Sequence, residues 1–156
     1  MGLDMMLYKD TYIGAGYDWN GIEGEINLTR RTFEGKRVPI NIDLKKVNSI
    51  REEIFYWRKA NAIHKWFVDN CAQGVDDCRP IYVDKGQLKM LLETIDTVLE
   101  SKNRAKELLP TQSGFFFGST EYDAWYFTTL ENTKEALEKI LFEEEPYVDF
   151  YYESSW

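Results

Sequence analysis

The chain is poor in the residues that make covalent scaffolds and reactive centres, with one histidine, two cysteines and four prolines. Cys71 and Cys78 are too few and too close together for a disulfide framework, and with no export signal ahead of them they read as thiols. No apolar run approaches the ~20 residues that cross a bilayer, and the opening residues lack a basic stretch followed by an apolar one. Met6 also stands where a myristoylation signal wants Ser or Thr. These absences lead to the expectation of a cytoplasmic protein with no membrane partner. A phosphate-cradling Walker loop, a dinucleotide GxGxxG (Gly14 and Gly16 stand alone), a GxSxG elbow and an HExxH pair are missing as well.

Positive charge is scarce too, with a net of −8. That excludes broad nucleic-acid binding, which needs a basic face to displace counterions. Residues 1–70 hold 11 Lys+Arg against 10 Asp+Glu, and the remainder holds 8 against 17, so the acidity is concentrated in the second part. What the chain does have is core material: 44% of its residues are hydrophobic and 15% aromatic, enough for one core, and no linker or repeat divides it. Residues 1–156 are therefore read as a single domain.

The fold class expected is α+β, an antiparallel sheet of about four strands packed against three main helices. Residues 3–13 and 25–33 have strand patterning. Residues 36–43 make a third strand, reached through the turn Glu34-Gly35, with Pro39 suited to a sheet edge. The glycine-rich stretch between the first two is a loop. Ser49 and Glu52 have the form of a capping box, and a first helix is expected over 49–71. Asp84 with Gln87 predicts the start of a second helix, with Leu88, Leu91, Leu92, Ile95 and Leu99 at core spacing. Pro110 closes a short helical stretch, a third long helix covers about 122–142, and the alternating tail YVDFYYES returns to the sheet.

On a helical wheel of the 49–71 segment, Trp57 sits amid the apolar arc, with Asn61 and His64 about 40° and 20° from it and Arg58 at its margin. Trp66 projects the other way, toward the surface or under another element. A buried amide or imidazole without a partner costs on the order of 1–3 kcal/mol, so the internal fold or a ligand must satisfy both groups. The run Gly114-Phe115-Phe116-Phe117-Gly118 is either a plug into the core or a stacking platform for a flat ligand. In the second case Phe116 is the platform, and Tyr122 and Asp123 offer hydrogen bonds. No metal is expected, because His64, Cys71 and Cys78 are separated by six residues in each gap, which matches no zinc spacing. Cys71 lies about 10.5 Å beyond His64 along a helix axis, too far for activation. No cofactor is expected and no residue is assigned a catalytic role.

The stretches MGLDMMLYK, YWRKANAIHKWFVDN, GVDDCR and LLPTQSGFFFGSTEYDAWY together resemble a family of small proteins encoded by bacteriophages and prophages, which begin MGLDMYL where this chain has Met6. The resemblance covers most of the chain and implies a phage origin, hence the cytoplasm of a host cell. The function expected is that of a binding protein that sequesters a small nucleotide-like ligand, such as a host immune signal. Trp57, Arg58, Asn61, His64, Phe116, Tyr122 and Asp123 would form the ligand site. The alternatives are an enzyme degrading such a ligand with His64 as general acid/base, and an acidic protein that blocks a host factor. The abundant tryptophans and tyrosines leave protein partners and homo-oligomers open.

Overall fold

In the computed structural model, which describes residues 2–156, the alternation of the opening segment becomes strand β1, Asp4–Tyr12. Met1 of the MGLDMM motif lies outside the described residues. Leu3, Met5 and Leu7 are fully buried while Asp4, Met6 and Tyr8 on the opposite face are only partly covered, the period of two that a half-buried strand requires.

Two compact units result, one comprising the residues up to Lys9 with Glu52–Trp156, the other Asp10–Arg51. In the second unit β2 (Leu28–Arg31) and β3 (Arg37–Ile40) form an antiparallel ribbon closed by the Thr32–Lys36 turn, with Thr29 opposite Pro39. These two strands pair only with each other, so the three-strand start expected from sequence is replaced by a separate two-stranded ribbon. Pro39 costs nothing there, because each strand of a ribbon has a free edge. Arg51 holds Asp10 through two hydrogen bonds of 2.7 and 2.8 Å.

The main sheet is antiparallel and four-stranded, in the order β4-β1-β6-β5. Its other members are β4 (Ser49–Arg58), β5 (Ile81–Val83) and β6 (Val148–Ser155). The long helices are α1 (Asn61–Cys71), α2 (Lys85–Glu100) and α4 (Ala124–Phe142), and a single turn, α3 (Ala105–Leu108), precedes Pro110. Asp84 and Gln87 form the capping box expected of α2, and Leu88, Leu91 and Ile95 are fully buried beneath it. The core joins the inward side chains of the sheet to α1, α2 and α4.

The helix expected over 49–71 is half strand. SIREEIFYW is rich in β-branched and aromatic residues that suit a pleated surface, and strand β1 supplies a partner: Lys59 N–H donates to the Leu3 carbonyl at 2.7 Å. Ser49 and Glu52 therefore form no capping box. Lys59 then takes a left-handed conformation, φ 56°, which turns the chain out of the strand before α1 begins at Asn61. Along β4, Phe55 and Trp57 face the helices while Tyr56 and Arg58 face away. Yet Glu52 also reaches the helix side, where it meets Lys9 at 3.1 Å, and Ile54 packs there against the core. Even and odd positions share one face only if the strand carries an extra residue, so β4 has a bulge around Ile54 and Phe55.

Candidate functional site

The polar residues buried in α1 are consumed by the fold. Asn61 donates to the carbonyls of Phe117 (3.0 Å) and Ser119 (2.8 Å) and accepts from the Gln112 amide (3.0 Å), so its amide rivets the loop 112–119 to the helix start. That loop is the glycine-bounded phenylalanine run. Phe117 plugs into the core edge-on to His64, with ring centroids 5.2 Å apart. Phe116 is half-buried against Phe115, which is 95% exposed. The flanking glycines are required: a Cβ on Gly114 would strike the Phe117 ring at 2.7 Å, and Gly118 adopts φ +87°.

His64 is completely buried and both ring nitrogens are engaged. Nε2 lies 3.0 Å from Asp76 Oδ2 and Nδ1 lies 2.7 Å from the Tyr152 hydroxyl. A carboxylate only accepts, so Nε2 donates to Asp76, and Nδ1 and the Tyr152 hydroxyl share the second hydrogen bond. Burial, reinforced by the Asp76 charge, pushes the Tyr152 phenol well above its ordinary pKa and keeps it protonated. Tyr152 stacks on Phe67 at 4.2 Å, and the Trp156 indole donates to the other Asp76 oxygen at 3.3 Å. Of the carboxylate, imidazole and phenol, Asp76 reaches solvent, with its side chain 22% exposed. The chain carboxylate–imidazole–phenol has the composition of a proton relay, but His64 has no nitrogen left for a substrate.

The other residues expected at a ligand site do not gather around these two. The Trp57 indole donates to Thr133 Oγ1 at 2.8 Å, tying β4 to α4. Arg58 lies on the opposite side of the sheet, 3.9 Å from Asp4. The Tyr122 hydroxyl accepts from the Thr111 amide, and Asp123 is the N-cap of α4, accepting from the Tyr126 amide at 3.0 Å. The hollow beside Asn61, bounded by Thr111, Ser119 and Tyr126, has a volume of about 10 Å³, room for one water molecule. Trp57, Arg58, Asn61, His64, Phe116, Tyr122 and Asp123, the residues expected at a ligand site, thus hold separate positions in the fold. Burial, with the Asp84 charge nearby, pushes the Cys71 thiol up to about 12, which leaves it a packing residue. Among the described residues no group of three or more His, Cys, Asp or Glu is placed to hold a metal.

The side of the sheet turned away from the helices carries the remaining side chains. Tyr56 and Arg58 of β4, Asp4, Met6 and Tyr8 of β1, and Asp149, Tyr151 and Glu153 of β6 occupy it, together with Tyr82 of β5. None of them is buried. Tyr82 is paired with Tyr151 in the β5–β6 register, their rings edge-on at 5.9 Å, and is 53% exposed. The Tyr56 hydroxyl donates to Asp4. Asp4, Asp149 and Glu153 lie on this face with Arg58, which sits beside Asp4.

The fold is that of an α+β protein whose helices cover one face of an antiparallel sheet. No protein-family model, no curated protein and no solved structure matches the chain. No helix among the described residues is long and apolar enough to cross a membrane.

Proposed function

We propose that the chain is a binding protein that works through the helix-free face of its main sheet, taking a basic segment of a protein partner. The observation that carries this is the four tyrosines Tyr8, Tyr56, Tyr82 and Tyr151, set among Asp4, Asp149 and Glu153 on a face that no helix covers. Tyrosine supplies large, stiff contact area at little entropic cost and accepts a lysine or arginine over its ring. The carboxylates select for that charge and against nucleic acid. With the resemblance to phage proteins, the partner would be a protein of the infected bacterium, and the outcome a blocked host factor.

Immobilised protein and bacterial lysate test the proposal, with Tyr151→Ser and Asp149→Lys variants of verified fold alongside. Basic proteins are expected on the wild type, released by salt and lost from both variants. Equal retention by the variants, or capture of labelled single-stranded RNA in place of protein, would overturn it.

A further inference from the structure

We infer a second docking site, separate from the tyrosine face, in the groove between α4 and β4. It fits a partner peptide that carries one bulky apolar residue beside a lysine or arginine. The groove has a volume of about 500 Å³ and a floor of Ile54, Phe55, Ala136 and Ile140. Strict alternation would send Ile54 and Phe55 to opposite faces; the bulge in β4 turns both toward α4, and both stay half-exposed there. The walls are fixed beneath the floor. Phe55 packs edge-on to Trp57 at 4.8 Å, and the Trp57 indole holds Thr133 of α4, so an incoming side chain meets a preformed slot.

The rim sets the charge of the occupant. Lys139 is engaged by Glu135 at 2.7 Å. The Glu143 carboxylate has no ion pair among the described residues, and its backbone carbonyl accepts from Lys85. A cation placed beside an apolar anchor therefore finds, at one end of the slot, a carboxylate that forms no ion pair among the described residues. β4 is an edge strand of the main sheet, paired with β1.

A random peptide library displayed and selected on the full chain tests this, with counter-selection on Ala136→Trp, which fills the slot. Enriched sequences are expected to converge on a large apolar residue next to Lys or Arg. They should bind Glu143→Lys about tenfold more weakly and bind Tyr82→Ser unchanged, which keeps this site distinct from the tyrosine face. Circular dichroism establishes the fold of each variant, and Glu143→Lys, on an exposed position, carries the test if Ala136→Trp does not fold. An acidic or wholly polar consensus, no enrichment, or equal binding to a folded Ala136→Trp or Glu143→Lys would overturn the proposal.

Discussion

A buried carboxamide reads a ligand only if one of its hydrogen-bonding positions is left over after folding. Asn61 spends both donors and one of its two oxygen lone pairs on Phe117, Ser119 and Gln112. Asn61→Ala orphans two carbonyls and an amide, and a loss of about 2–3 kcal/mol is expected. In a chain of this length that lowers the melting temperature by roughly 5–10 °C, measurable by thermal denaturation. An unchanged melting temperature would mean that the rivet is idle. The burial of Asn61 and His64 was legible in the sequence because helical geometry does govern 61–71, even though the wheel that located them ran twelve residues too far back, through β4. Their partners were not legible. Asp76 and Tyr152 stand 12 and 88 residues from His64, and no local pattern marks either: Asp76-Asp77 looks like any solvated acidic loop, and Tyr152 like one aromatic of an alternating tail.

Among the elements, those whose ends are set by local chemistry were the readable ones. The Asp84–Gln87 box satisfies two amides within four residues, so α2 starts where the sequence says. Asp84→Ala is expected to cost about 1 kcal/mol and to fray the first turn, seen as faster amide exchange at Gln87 and Leu88. Unaltered exchange there would show the cap to be redundant. β4 is the opposite case. Its aromatic and β-branched residues satisfy a helical stripe and a strand alternation alike, and pairing with β1, far away in sequence, decides between them. The bulge that aims Ile54 and Phe55 together was invisible for the same reason, since an extra residue exists only relative to a partner strand.

At the scale of the molecule, several groups withheld from water share one direction of titration. Burial raises Tyr126 as well as Tyr152 above the ordinary phenol value, and the Cys71 thiol rises from 9.0 to about 12. In each case the fold favours the protonated form more than the unfolded chain does. The stabilisation is therefore whole below the unfolded values, near pH 9 for the thiol and about 10 for phenols, and declines as pH rises beyond them. Phenolate absorbance and far-ultraviolet circular dichroism, followed together, should show the last tyrosines ionising only as the fold is lost. Full ionisation with intact dichroism would contradict the sealed placement of Tyr126 and Tyr152.

The two central strands of the main sheet, β1 and β6, are the first and last of the described elements. During synthesis β1 leaves the ribosome well before β6 and waits, with one hydrogen-bonding edge bare and Leu3, Met5 and Leu7 uncovered, until β6 is made. Closure of the sheet is thus a late, long-range event, slow by the entropy of the loop it must close. The nascent chain has reason to meet the cell's holding chaperones before any other protein.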